Sequence, residues 1–339
     1  MKNKFRIDFK IVLFILTVMV CLSVVLFAGG STQGNDDTTD TAIRTSEQEV
    51  CNFLLLGTDK AAGLSDVIML VSVNLENGSI NFMQIPRDTY FECGASYKKL
   101  NGAHKTLGGA KEFAASLGEV LGININYYLS LGLETVQKMV DFVSGIEVDI
   151  PFDMDYEDKS QNLSIHLKAG NQVLDGKSAV EFLRYRAGYV TGDLGRINAQ
   201  KLFMNAYVKR IGQMGNPLAL YNLCKLVLTN SETNIKESDI FSLCLKYAKV
   251  KGGPVSYMTA PGEAIKDENS GTWYYILSNS SMADLMNERF GCRTDKKDFD
   301  KYNKFVDKNE KSLYDIYNKH CEIKIYSADE VENNEVNIN

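Results

Sequence analysis

The sequence predicts an α/β fold, a mixed central β-sheet flanked by helices, with one transmembrane helix ahead of it. Three observations lead there. Short apolar runs of strand length follow one another early in the body of the chain. Segments with helical apolar spacing then alternate with further strand-like runs, the pattern of a sheet covered by helices. Near the N-terminus, "IVLFILTVMVCLSVVLFA" runs from Ile11 to Ala28 without a charge. With 339 residues, 45% of them apolar, the chain can bury one sizeable core.

The N-terminal run comes first in the chain. As a helix it is roughly 27 Å long, close to the ~30 Å of a bilayer core. Lys2, Lys4, Arg6 and Lys10 precede it, which predicts a cytoplasmic N-terminus and a body on the far side of the membrane. "AGG" at Ala28–Gly30 would also suit a signal-peptide cleavage site. The apolar run is longer than the usual ~7–15 residues of such a segment, however, so an uncleaved anchor is the reading taken. Residues 31–49 are polar and read as a tether. Net charge is −6 although the N-terminal segment is basic, so the body is acidic. That argues against nucleic-acid binding, which needs a basic face to neutralise phosphates. Six further cysteines (Cys51, Cys93, Cys224, Cys244, Cys292 and Cys321) are scattered without a CxxC pair. With only three histidines, a zinc site finds no support, and the disulfide state stays open.

In the body, "NFLLLG" (52–57), "DVIMLVSVN" (66–74) and "SINFMQIP" (79–86) read as strands. The first two are apolar at successive residues, as expected for strands buried on both faces. Asn77-Gly78 marks a hairpin turn joining the second to the third. Ala110, Phe113, Ala114, Leu117 and Leu121 share one helical face that stops at Gly122. Val136, Met139, Val140 and Val143 make a second, ending at Gly145. Ile146, Val148 and Ile150 then alternate as a strand closed by Pro151, and residues 192–211 form a third amphipathic helix. Residues 214–290 add more helix and a short strand near 272–277. Beyond Gly291 the chain is dense in charge and reads as a partly disordered extension. The expected domains are thus 1–10 cytoplasmic, 11–30 anchor, 31–49 tether, 50–291 main body and 292–339 extension.

Three loops carry candidate chemistry. "GTDKAAGLSD" (57–66) leaves one strand and enters the next with Asp59 and Asp66, which can converge on a hard divalent cation or simply shape a turn. "IPRDTY" (85–90) puts Arg87 and Asp88 at a strand end, as a structural pair or as a phosphate-binding arginine with its acid. "FLRYRAGYVTGDLGR" (182–196) holds Arg184, Arg186, Asp193 and Arg196. If "FLRYR" is extended, Arg184 and Arg186 project to one side. Arg196 falls in the first turn of the next helix, against the dipole, and Asp193 is placed to cap that helix. An arginine there makes more sense beside a bound anion than alone, since guanidinium suits bidentate phosphate recognition. A surface salt-bridge cluster is the plainer alternative. Carboxylates for a metal and arginines for phosphates together suit phosphoryl transfer. Neither a Walker motif nor "GxSxG" occurs.

The sequence resembles the LytR-CpsA-Psr family. The likeness rests on "NFLLLGTDK…LSDVIMLVSVN", "SINFMQIPRDTY", "KKLNGAHKTLGGA", "LGININYYLSLGLETVQKMVDFVSGIEVDIP", "LKAGNQVLDGKSAVEFLRYR" and "GDLGRINAQKLF", in that order over about residues 50–211. "TAPGEAIKDENSGTWYYI" (259–276) is similar to the family's closing segment. The resemblance implies a membrane-anchored enzyme of Gram-positive-type bacteria working outside the membrane. It would move an anionic glycopolymer, such as a teichoic acid, from a polyprenyl-pyrophosphate carrier onto peptidoglycan. It also implies Mg2+ at Asp59 and Asp66, and pyrophosphate held by Arg87, Arg184, Arg186 and Arg196 beside an apolar tunnel. Asp88 and Asp193 are then nearby acids that orient a group or act as base, and pyrophosphate cleavage is a side reaction. The apolar faces at 110–121 and 136–143 become candidates for the tunnel wall. Three positions depart from the family pattern: Leu64 and Ala199 stand where arginine is usual, and Ala187 where histidine is. These departures keep a second reading in view, a carrier-binding member without turnover.

Overall fold

The structure, a computed structural model, describes residues 50–59, 63–94, 98–159, 163–190, 193–214, 216–236, 238–239, 253–292, 306 and 311–332. The expected anchor and tether lie outside the described residues. Among the described residues, no helix is long and apolar enough to cross a membrane.

The strands, in chain order, are β1 (Val50–Asp59), β2 (Leu64–Asn74), β3 (Ile80–Gln84), β4 (Tyr127–Gly132), β5 (Ile146–Ile150), β6 (Met154–Asp158), β7 (Leu163–Leu167), β8 (Gly170–Leu174), β9 (Ser231–Thr233), β10 (Val255–Thr259), β11 (Gly262–Lys266), β12 (Trp273–Leu277) and β13 (Ile325–Ser327). A seven-stranded mixed sheet runs β13-β10-β3-β2-β1-β4-β9. β1, β2 and β3 pair antiparallel in succession, and the Asn77-Gly78 turn closes the expected hairpin, with Gly78 at φ 72°. β4 joins β1, and β10 joins β3, in parallel. The pairs β5–β8, β6–β7 and β11–β12 stand apart as two-stranded sheets.

Both faces of β1 are buried, which is why its sequence is apolar at successive residues. Phe53 faces a core shared with Val140, Phe182 and Tyr207, and so with the helices Leu133–Phe142, Gly176–Arg184 and Asp193–Gly212. Leu54 and Leu56 face the other core, with Phe113 and Leu117 of the helix Ala110–Leu121 and Met282 of the helix Asn279–Arg289. The result is helix, sheet, helix. Gly122 ends the helix Ala110–Leu121 in the left-handed conformation at φ 66°, and Gly145 turns the chain into β5 at φ 87°. Cys224 is disulfide-bonded, while Cys51, Cys93, Cys292 and Cys321 are thiols.

Two expectations are corrected. "FLR" is not extended: residues Gly176–Arg184 form a helix, started by Asp175, whose carboxylate accepts from the Ser178 amide, and burying Ala179 and Phe182. The chain becomes extended only at Tyr185. The region after 291 is not wholly an extension either. Its described part, 311–332, places β13 antiparallel on β10 and buries Leu313, Tyr317 and Val331 in the two cores. Sparse apolar residues between charges conceal that docking in the sequence.

Candidate functional site

Arg87 emerges just past β3, where Pro86 begins a tight turn whose carbonyl accepts from the amide (3.0 Å) and the hydroxyl (2.7 Å) of Thr89. The Asn101 amide donates to the Arg87 carbonyl (3.0 Å) and the Tyr275 amide to that of Asp88 (2.9 Å). The loop is therefore tied on both sides, and the guanidinium is held at a fixed point. Its Nη1 is 2.5 Å from Asp66 Oδ1, and its Nε lies 3.6 Å from Asp193 Oδ1 and 4.0 Å from Asp88 Oδ2.

The long helix Asp193–Gly212 supplies the facing side. Asp193 is its first residue, and its carboxylate turns to the two arginines instead of capping: Oδ1 is 2.8 Å from Arg196 Nη2. Arg196 is only 6% exposed, and its Nη2 also donates to the Asp66 carbonyl (3.4 Å). The Nε atoms of Arg87 and Arg196 are both buried with no hydrogen-bond partner among the described residues. Both Asp193 carboxylate oxygens are buried and lack such a partner as well, so the corner holds unsatisfied donors and acceptors together, and an anion arriving there would meet the two Nε donors. Burial pulls the Arg196 guanidinium below its ordinary pKa. Arg87 is also opposed by burial, but Asp193, Asp66 and Asp88 outweigh that and hold it above its ordinary value.

Asp66, Arg87 and Arg196 of this corner line a cavity of about 690 Å³. Asp66, Arg87, Arg184, Arg186, Arg196 and Gln200 line it with polar groups. Val67, Leu131, Leu133, Val136, Leu163 and Leu183 give it apolar walls. Leu163 comes from the β6–β7 hairpin, which also brings Tyr156 to the cavity. The fold thus brings together Asp66, Arg87, Arg184, Arg186, Asp193 and Arg196. Asp88 stands aside: Lys99 Nζ holds its Oδ1 at 2.8 Å, and it comes no nearer to Arg87 than 4.0 Å. Asp59 ends β1 opposite Leu64, and its side chain lies outside the described residues. The helix expected as one tunnel wall, Ala110–Leu121, packs on the opposite face of the sheet and does not reach the cavity. Its partner, Leu133–Phe142, does, through Leu133 and Val136.

Among the described residues, no group of three or more His, Cys, Asp or Glu is arranged to hold a metal ion. Mg2+ needs only one or two carboxylates when phosphate oxygens and water complete its shell. Asp66, 42% exposed at the cavity and two residues beyond Leu64, the cross-strand partner of Asp59, is a hard oxygen donor suited to that ion. Sequence reasoning missed Gln200 and Lys99. Gln200 follows Arg196 by one helical turn, and that spacing was available as a signal. Its Oε1 accepts from Gln84 Nε2 at 2.6 Å. Lys99 meets Asp88 only through tertiary folding.

The LytR_cpsA_psr family profile matches residues 25–290. A Bacillus anthracis protein, polyisoprenyl-teichoic acid–peptidoglycan teichoic acid transferase TagU, is 29% identical over 252 residues, 72% of this chain and 80% of that protein. The crystal structure of Bacillus subtilis TagV matches with a TM-score of 0.58 at 22% identity, covering 81% of this chain and 100% of that one. A Streptococcus agalactiae protein matches with a TM-score of 0.64 at 21% identity, covering 80% and 96%. The profile spans six of the seven strands of the sheet, the arginine–aspartate corner and the cavity, and the chain belongs to the LytR-CpsA-Psr family.

Proposed function

We propose that this protein transfers an anionic glycopolymer from a polyprenyl-pyrophosphate carrier to peptidoglycan, outside a bacterial membrane in which residues 11–28 anchor it. One observation carries the reading: guanidiniums with unmet donors line the same cavity as a set of aliphatic side chains, Val67, Leu131, Leu133, Val136, Leu163 and Leu183. A pyrophosphate joined to an isoprenoid has that same polarity. Arg87, Arg196, Arg184 and Arg186 bind the pyrophosphate, and the walls formed by Val136, Leu163 and Leu183 receive the tail. Asp193 keeps Arg87 and Arg196 aligned, and Lys99 holds Asp88 at the edge.

A hydroxyl of the wall polymer forms the new bond to the polymer-side phosphorus. The bond from that phosphorus to polyprenyl phosphate breaks, leaving a phosphodiester, and a carboxylate of the cluster takes the hydroxyl proton. Arginines fixed before the reaction stabilise charge as it gathers on the phosphoryl oxygens. Asp66, with Asp59, would hold Mg2+, which supplies further charge neutralisation at those oxygens when bound. Water in place of the acceptor would give pyrophosphate cleavage. The family membership and the transferase name of the Bacillus anthracis relative support this reading.

The test uses the full chain in detergent with a polyprenyl-pyrophosphate glycan, peptidoglycan oligomers and Mg2+, followed by mass spectrometry. Release of polyprenyl phosphate together with a phosphodiester-linked product, abolished by EDTA and restored by Mg2+, is expected. Tight carrier binding without product, whatever the metal or acceptor, would overturn the transferase in favour of a carrier-binding protein.

A further inference from the structure

Tyr189 lines the cavity with Arg184, Arg186 and Arg196, on the segment that follows the helix Gly176–Arg184. It is only 5% exposed, and its hydroxyl is buried with no hydrogen-bond partner among the described residues. A tyrosine hydroxyl in such a place normally has one. Packing alone would be served by phenylalanine.

The ring is held from two sides. It meets Phe152 edge-on, with centroids 5.5 Å apart and planes at 75°, and Tyr185 likewise at 5.6 Å and 81°. The Tyr189 amide donates to the Arg186 carbonyl (3.4 Å), which draws the segment into a turn. Gly188 makes room for this packing, because a Cβ there would lie 2.6 Å from the Tyr185 hydroxyl oxygen and 2.9 Å from Phe152 Cε2. A ring clamped in this way keeps its hydroxyl where it is.

Chemistry decides what that hydroxyl can meet. Burial raises the phenol above its ordinary pKa, Tyr185 adds to that, and the Arg196 guanidinium opposes it. The group therefore stays protonated, and its proton needs an acceptor, which the guanidiniums around it do not offer. A ligand that satisfies this hydroxyl together with the Nε atoms of Arg87 and Arg196 must be anionic and rich in acceptor oxygens, as a pyrophosphate is.

We propose that the Tyr189 hydroxyl is a further substrate-binding donor of this site, giving a hydrogen bond to a non-bridging oxygen of the bound pyrophosphate. This rests on the function proposed above for the identity of the ligand. Tyr189 transfers no proton and forms no bond; it adds a neutral donor to the charged ones.

The test is Tyr189→Phe in the full chain, which keeps the ring cluster and removes only the hydroxyl. Calorimetric titration with inorganic pyrophosphate and with a short prenyl pyrophosphate needs no turnover. Both are expected to bind the variant about tenfold more weakly, the scale of one hydrogen bond to a charged group. The Tm of the unliganded variant is expected to match or exceed that of the wild type, since a buried unmet donor has gone. Equal affinity in the two proteins would overturn the proposal. So would a lowered Tm without ligand, which would show that the hydroxyl donates within the protein, for instance to the Asp193 carboxylate. A wild type that binds neither probe would overturn it as well. Binding without any transfer product would sink only the function proposed above, and the affinity ratio would still decide the role of Tyr189.

Discussion

Replacing Arg87 by alanine separates a binding guanidinium from a structural counter-ion. The side chain is 17% exposed and faces three carboxylates, of which Asp193 is equally enclosed at 17% and Asp66 is open at 42%. Breaking a fully buried ion pair costs about 3–5 kcal/mol, but Asp66 can re-solvate and Arg196 still faces Asp193, so a loss of about 2 kcal/mol is expected. For a domain of this size that lowers Tm by about 4–8 °C. Loss of a donor aimed at developing phosphoryl charge costs about 2.7–4 kcal/mol in the transition state, a fall of about 10²–10³ in kcat. Arg87→Lys keeps a cation among the three carboxylates but loses the guanidinium's paired donors, so this variant should regain most of the lost Tm while its turnover stays low. Differential scanning fluorimetry and quantitation of released polyprenyl phosphate read the two effects on one preparation. A lysine variant that regains turnover along with Tm would refute bidentate binding of the substrate by Arg87.

Two further outcomes follow from the same geometry. Lys201 is 3% exposed and donates to Thr259 Oγ1 (2.9 Å) and Asn198 Oδ1 (3.0 Å), and burial lowers its pKa from 10.5 to about 8. Between those values the unfolded chain binds the proton that the folded chain has lost, so stability should rise as pH goes from about 8 to 10.5. Lys201→Met should flatten that rise and stabilise the protein by about 2–3 kcal/mol at pH 7, measured by urea unfolding at both ends of the range; a rise that persists in the variant would assign it to another group. Val136→Asp puts a charge on the apolar cavity wall and should raise KM for a long-tailed carrier at least tenfold, on the order of 2 kcal/mol of lost burial. With a short-tailed carrier kinetics should stay near wild type, and an equal effect on both would show that the wall does not hold the tail.

Local patterns made the first half of the fold legible. The doubly apolar β1 and β2, the Asn77-Gly78 turn and the glycine-stopped helices are each specified by residues near in sequence. β10 was not legible, because "VSYMT" is short and its partner β3 lies far back in the chain. β13 was hidden because only Ile325 and Tyr326 mark it among charged and polar residues. At the site, the arginines stood out as functional residues because nothing nearby in an acidic chain explains them. Their arrangement did not: whether Asp193 caps a helix or bridges two guanidiniums depends on where Arg87 arrives from β3. Asp88 looked equivalent to Asp193 for the same reason, and Lys99 separates them. The "FLRYR" error arose because two arginines one residue apart fit strand alternation, whereas the helix capped by Asp175 runs on through Arg184 and the chain extends only from Tyr185.

The docking of β13 bears on how the protein is made. β3 is complete early in synthesis, yet its neighbour β10 arrives long afterwards, and β10 has its own outer edge covered only when residues 325–327 follow. Pairings this distant along the chain slow folding, since loop closure must precede any gain from contact. Until the last of them forms, Val255–Thr259 presents an open row of backbone donors and acceptors, the kind of edge that recruits other chains. A protein shortened at residue 291 would keep every arginine and aspartate of the site and still carry that edge permanently exposed. Its yield would then be limited by aggregation during biogenesis, with the chemistry of the site intact.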